Sequence, residues 1–413
     1  MSRDTGSLAA APPPSSASLL PLVGGQICLH AGMAGLRMAG PLLALRDGHT
    51  ALAVGLLLAL FAAGPIGLAL TAGRMADRHG YHRPVRVAVV LALAGGLFAL
   101  LAAWLGGGGR YGALCAAAVL TGAGANFGLI AIQRSAGRLA RGGTDLKRIF
   151  SWLGLAPALS NVVGPVLAGV LIDAAGFGAA FAALALLPLG TLLWARWVPV
   201  EAPAASAGVA FDGGTRRTAW RLFRQPGMRR LLLVNWLLST SWDVHSFAVP
   251  VLGHERGLSA SAIGVVLGVF ALSVAAVRVV IPLLAHRMKE AQVLSGAMLL
   301  TAVVFGLYPL AAGAWTMTAC ALVLGLSLGA VQPMIMSTLH QITPAAEHGQ
   351  AIALRSVAIN LSSTLMPVGF GALGASLGAA PLFWLMAAAV GMGSWPARKL
   401  GQTGAPGAHP PQS

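Results

Sequence analysis

Long apolar runs recur along the chain at nearly even intervals, each about 20 residues and each broken by a short polar stretch. That is the length a helix needs to cross a hydrocarbon core of about 30 Å. The pattern predicts spans near 19–43, 51–72, 85–106, 112–133, 150–172 and 178–198, and a second set near 230–252, 261–285, 292–312, 315–339, 350–375 and 379–397. Lipid offers no partner to a backbone N–H or C=O, so these runs must be helices. The expected fold class is an all-α membrane protein with twelve transmembrane helices in two six-helix bundles, 19–198 and 230–399.

The segments outside the spans are short. Residues 1–18 are rich in Pro, Ala and Ser, lack periodicity, and read as a disordered tail; 400–413 form a second, Gly/Pro-containing tail. The first apolar run begins late and holds Gln26, His30 and Arg37, so no cleavable signal peptide is expected. The linker 199–229 turns from Ala/Gly/Pro-rich to basic. There Arg216, Arg217, Arg221, Arg224, Arg229 and Arg230 interleave with Trp220, Leu222 and Phe223. This reads either as a short helix on an anionic membrane surface or as an unstructured basic linker.

Composition agrees with the membrane reading. Hydrophobic residues are 57% of the chain and charged ones 9%, against about a quarter charged in a soluble domain. The net charge of +16 would suggest nucleic acid, but the charges are sorted by side. Arg46, Arg110 and Arg256 alone fall in loops of one side, and Arg37, Arg278 and Arg355 fall within spans; the rest lie in the tails, the linker and the loops of the other side. That asymmetry places both termini in the cytoplasm and explains the high pI without a nucleic-acid partner. Cys28, Cys115 and Cys320 all lie in apolar runs and read as small core residues, not as a disulfide frame or a metal site.

The two halves repeat. Pro41, Gly48, Gly55 and Phe61 match Pro250, Gly257, Gly264 and Phe270 at an offset of 209. Pro165 and Gly169 match Pro367 and Gly371 at 202. Between the second and third runs stands Gly73-Arg74-Met75-Ala76-Asp77-Arg78-His79-Gly80-Tyr81-His82-Arg83. Its Gly73, Asp77, Arg78 and Gly80 resemble the Gly-x-x-x-Asp-Arg-x-Gly loop between helices 2 and 3 of the major facilitator superfamily. Tyr81 departs from the basic residue more usual there, with Arg83 following. The repeat of two parallel halves is also what such transporters show.

The resemblance has consequences. It implies a gating role for Gly73, Asp77, Arg78, Gly80 and Arg83, with Asp77 facing the start of helix 11 to hold the cytoplasmic side shut. A carboxylate near a helix N-terminus is favoured by roughly 0.3–1 kcal/mol. In the fifth span, Gly164, Pro165 and Gly169 resemble the superfamily's antiporter motif, which implies a bend in helix 5 and an exporter.

Candidate chemistry lies in the spans, where an ionisable group is expensive. Gln26, His30, Met33 and Arg37 share one helical face, and at offset 209 they meet Asn235, Ser239, Trp242 and Ser246. By the resemblance these stripes line a central substrate cavity; the alternative is packing between helices. Gln332 is a further neutral cavity candidate. Asp243 is the one carboxylate well inside a span, at a depth within about a turn of Arg37. An Arg37–Asp243 pair would either be broken by protonation, coupling transport to protons, or stand as a static tie between halves. Arg278 and Arg355 either snorkel to the inner interface or make the cavity electropositive.

The expected function is secondary transport of a small organic solute by alternating access, coupled to protons as an efflux antiporter in a bacterial-type inner membrane. The alternatives are uptake or exchange of an organic anion without proton coupling, and a non-transporting membrane sensor. No phosphate loop, zincin or nucleophile-elbow motif occurs, so neither an enzyme nor a bound cofactor is expected. The resemblance implies a monomer.

Overall fold

The computed structural model describes residues 16–139, 143–200, 221–284, 289–343 and 348–400, and these are helical apart from short turns. The first half contains α1 (Ser16–Arg46), α2 (Ala51–His79), α3 (His82–Trp104), α4 (Gly107–Leu139) and the stretch Gly143–Ala195. That last stretch is interrupted at Gly176, whose φ of 82° and ψ of 176° cannot continue a helix. It is therefore two antiparallel helices, α5 (143–175) and α6 (177–195). The second half contains α7 (Pro226–Glu255), α8 (Ala260–Leu284) and α9 (Glu290–Leu307). Then come α10, made of Ala314–Gly329 and Val331–Ile342, α11 (His348–Leu377) and α12 (Ala379–Arg398).

Eight of the described helical stretches are long and apolar enough to cross a membrane, one of them being α5 and α6 together. The apolar part of α2, Ala51–Ile66, is shorter, and α7 and α12 fall outside the set. α7 does so although it spans 30 residues, because it carries Asn235, Ser239, Asp243, His245 and Ser246 in its middle. Large apolar side chains such as Leu97, Val303, Leu365 and Leu385 point outward and stay more than 40% exposed, a surface that only lipid covers favourably.

The repeat seen along the chain is a repeat of backbone conformation. Gly176 and its partner 202 residues on, Gly378, have φ of 82° each and make the α5–α6 and α11–α12 turns. Gly48 and Gly257, 209 apart, have φ of 80° and 67° and make the α1–α2 and α7–α8 turns. An L-residue with a Cβ pays a steric penalty at such angles, so glycine recurs where the turn recurs.

These four turns lie at one end of the bundle, called distal here. The α2–α3 turn and the start of α1 lie at the proximal end. At the distal end the halves meet through two symmetry-related seams, α2 against α11 and α5 against α8. In one, Gly55 lies against the Pro367 carbonyl and the Gly371 backbone. In the other, a Cβ on Gly264 would stand 2.5 Å from the Pro165 carbonyl oxygen, and Gly169 packs on Ala260 and Ser261. The glycines and prolines that carry the sequence repeat are thus the residues at which the halves touch backbone to backbone.

One expectation is corrected, and two are given their local structure. The charged stretch after the second run is not mainly a loop: α2 runs through Gly73 to His79, ending at Gly80 with φ of 66°. A single Gly–Tyr step suffices to turn the chain because α2 keeps its hydrogen bonds to the last turn. The backbone at Gly164, Pro165 and Gly169 is helical, and Gly176 is the turn between the two predicted spans. The proline lies in a helix held on both sides by close neighbours. Helix α7 begins at Pro226, a few residues ahead of the predicted span, and the missing N–H of a proline costs nothing at a helix start. Of the proposed surface helix, 221–224 form one helical turn leading into α7; Arg216, Arg217 and Trp220 fall outside the described residues.

Candidate functional site

A cavity of about 250 Å³ opens between the halves from mid-bundle toward the proximal end. Pro157, Ala158 and Asn161 of α5 form one wall. Leu238, Ser239, Trp242 and Asp243 of α7, Arg278 of α8, Leu328, Val331 and Gln332 of α10, and Ile359 and Ser363 of α11 form the rest. A smaller cavity, about 50 Å³, adjoins it distally and is lined by Arg37, Ser246, Pro165 and Phe270 among others. Asn161 and Trp242 belong to both walls.

Each polar group arrives there for a local reason. α7 has an apolar majority, so it can bury its polar stripe toward the other half while Leu231, Leu238, Val244 and Phe247 pack in the common core. Asp243 is 9% exposed and accepts one hydrogen bond, from the Ser363 hydroxyl at 3.3 Å. Asn161 donates its Nδ2 to the Pro157 carbonyl at 2.7 Å, a carbonyl one turn back. Trp242 is held edge-on against Phe270, with ring centroids 4.6 Å apart.

The three guanidiniums of the bundle have different fates. Arg355, 6% exposed, donates from Nε to Asn235 Oδ1 at 3.2 Å and from Nη2 to Gln332 Oε1 at 2.8 Å. It ties α11 to α7 and α10. Arg278 lines the cavity and donates from Nη1 to the Gly154 carbonyl of the other half at 3.4 Å, while its buried Nε has no partner. Arg37 lines the smaller cavity. The expected Arg37–Asp243 contact is not made: no atoms of the two approach within 4.0 Å as an ion pair. The two helices touch only lightly, and Trp242 stands in the shared wall.

The stripe residues divide accordingly. Ser239, Trp242 and Gln332 line the larger cavity, and Arg37 and Ser246 the smaller. Met33 packs at the edge of the core. Asn235 is 1% exposed and is spent on Arg355. Gln26 is fully buried, and neither its Oε1 nor its Nε2 has a partner. His30 and Gln26 are on neither cavity wall. Sequence reasoning missed Asn161 and Ser363. The repeat held the signal, since the two are 202 apart and occupy equivalent positions on α5 and α11. His245 lies away from the cavity, stacked on Phe270 and bonded to the Tyr308 hydroxyl at 3.1 Å.

Two further arrangements bear on gating. At the distal end, Asp173 of α5 receives the Ala260 N–H at 3.1 Å on Oδ1 and the Ser261 N–H at 2.7 Å on Oδ2, so it caps α8 across the seam. Arg110 forms an ion pair with Asp47 nearby. At the proximal end, Arg78 and Arg83 are exposed, Gly73 has open space where its Cβ would be, and Gly80 is buried. The side chains of Asp77 and of residues 348–350 at the start of α11 fall outside the described ones. Tyr81 is fully buried among Leu22, Val85, Ile132 and Leu153, and so anchors the turn to the first bundle.

Comparison with known proteins follows this geometry. The family model described as Major Facilitator Superfamily matches residues 22–241 and 231–400. No curated protein matches the chain. Among solved structures, one similar to it is a POT family transporter in complex with 5-aminolevulinic acid, at 13% identity, covering 91% of this chain and 94% of that one with a TM-score of 0.70. Another is the peptide transporter POT in complex with sulfate, at 14% identity over 93% and 94% with a TM-score of 0.71. A third is a mutant of the nucleoside transporter NupG, at 14% identity over 93% and 98% with a TM-score of 0.69. At these identities the likeness is one of fold.

Proposed function

Because this chain belongs to the Major Facilitator Superfamily, we propose that it carries a small organic solute outward across the membrane in exchange for protons, by alternating access. That it is a multi-pass membrane transporter and not an enzyme follows from the family. The direction and the coupling are the proposal, and one observation carries them. Among the described residues, Asp243 is the only acidic side chain on the wall of the central cavity, and its one hydrogen-bond partner is a hydroxyl.

A carboxylate in such a place is costly while charged and unpaired. A proton relieves it, and so does a cationic group on a solute, and the two exclude each other. A protein that changes its facing state only when Asp243 is neutralised exchanges one for the other. In this reading the protein sits in an inner membrane with its termini and proximal end in the cytoplasm, as the sorting of its arginines supports, and this form is open inward. Arg37 acts on Asp243 through space rather than as a bonded partner, and Asp77 with the start of α11 closes the proximal side in the other state. The chain works as a monomer.

The test is proton movement in proteoliposomes carrying a pH-sensitive dye, as organic cations and anions are added to native protein and to Asp243→Asn. Solute-driven proton flux that the substitution abolishes supports the reading. Solute movement without proton flux, equal in both proteins, overturns the coupling and leaves facilitated diffusion. Exchange of organic anions is a second reading, favoured by the excess of guanidiniums in the bundle, but Arg355 is already held by two amides.

A further inference from the structure

Among the described residues, Arg278 is the one cationic side chain on the wall of the larger cavity, and little of its bonding capacity is used. A guanidinium has five N–H donors. Arg278 commits one, at the long distance of 3.4 Å, and its Nε is buried without an acceptor. No carboxylate of the described residues lies within 4.0 Å of it. Yet it stands on the wall of the cavity that also holds Asp243. One cavity thus presents a positive and a negative charge that do not pair with each other.

A ligand's charge decides how well this arrangement is satisfied. A cation meets Asp243 and leaves Arg278 uncompensated. An anion meets Arg278 and leaves Asp243 so. A molecule with both charges satisfies both, and burying an ion in a site of low polarity is favourable only when it is paired. Much of the remaining wall is apolar, from Leu238, Leu328, Val331 and Ile359 together with the ring of Trp242.

We propose that Arg278 receives an anionic group of the transported solute, whose cationic group sits at Asp243, so that the solute is a small zwitterion with an apolar body. Asn161 and Ser363, on opposite walls, supply neutral hydrogen bonds along that body. This rests on the transport reading above and makes it narrower. It also assigns Arg278, on α8, the role of choosing among cations: a solute is accepted when it brings its own negative charge.

Matched series separate the alternatives. Leucine, phenylalanine and leucyl-leucine are each offered as the free zwitterion, as the methyl ester and as the N-acetyl acid, to purified full-length protein by calorimetry and to proteoliposomes by counterflow. The expected result is that at least one zwitterion binds about tenfold or more tightly than both of its capped forms, the discrimination that one good charged contact provides. Arg278→Gln weakens the zwitterion and closes its gap to the ester, and Arg278→Lys restores part of the gap. Asp243→Asn closes the gap to the N-acetyl acid. The proposal is overturned if no zwitterion binds, if the esters or acids bind as well as their parents, or if Arg278→Gln weakens zwitterion and ester alike, as a purely structural role would. The coupling can fail separately. Zwitterions that bind and exchange without proton flux keep the solute class and remove the antiport; esters that drive proton flux while zwitterions do not bind do the reverse.

Discussion

Replacing Asp173 by alanine tests whether the distal seam is a latch. The carboxylate accepts from the Ala260 and Ser261 amides at 3.1 and 2.7 Å, two of the orphan donors at the start of α8. Ser259 serves a third, that of Ala262, at 3.2 Å. The side chain is exposed, so solvent screens its charge and the contact is worth less than a buried one. A charge at a helix N-terminus of this exposure contributes roughly 0.3–1 kcal/mol. If the contact exists only in the distally closed form, its loss shifts the equilibrium toward the open form by up to about fivefold, since 1.4 kcal/mol is tenfold. The assay is labelling of Val166→Cys, a residue of the same seam that packs on Gly268, with a membrane-impermeant maleimide after Cys28, Cys115 and Cys320 are replaced by serine. Asp173→Ala should speed labelling by about two- to fivefold, and Asp173→Asn, which keeps one acceptor, by less. A rate equal to or below that of the parent refutes the latch and leaves Asp173 as a passive cap.

Other outcomes follow from the same contacts. Gly264→Ala puts a Cβ 2.5 Å from the Pro165 oxygen, so distal closure should fail, with Val166→Cys labelling raised and solute transport cut about tenfold or more; Gly296→Ala, where nothing lies within 4 Å, should change neither. Arg355→Met strips the amide oxygens of Asn235 and Gln332 of their charged donor and should cost about 1–3 kcal/mol, read as a lowered melting temperature in detergent. Tyr81→Ala empties a fully buried site at the α2–α3 turn and should cost about 3–5 kcal/mol by the same measurement, whereas Tyr81→Phe should be nearly silent, its hydroxyl having no partner.

Much of the fold was legible along the chain because its rules are local. Apolar runs of membrane length have no option but helix, and the glycines at Gly48, Gly176, Gly257 and Gly378 mark turns that need positive φ wherever they occur. The repeat was legible too, since both halves face the same lipid and must turn the same way. The charged stretch after α2 was recognisable by its spacing, but its conformation was not. Arginine is a good helix former, and polarity alone does not say whether a segment coils or merely leaves the membrane.

The candidate site was legible by type and not by partner. Asp243 and the α7 stripe stood out because polar groups in lipid are rare. That Arg355 would be spent on Asn235 and Gln332, that Arg37 would stop short of Asp243, and that Ser363 would reach it instead depend on how α5, α7, α8, α10 and α11 are rotated and how deeply each sits. Those rotations are set by the backbone contacts at Gly55, Pro165, Gly264 and Pro367, between residues far apart along the chain. Sequence by itself determined which segments enter the membrane, how often the chain turns and which side chains are too polar to face lipid, because each is a balance between a residue and its solvent. Only the tertiary structure decided which of those polar groups meet one another and which are left to meet a solute, because hydrogen bonds and charge pairs are settled over a few ångströms that helical periodicity does not resolve.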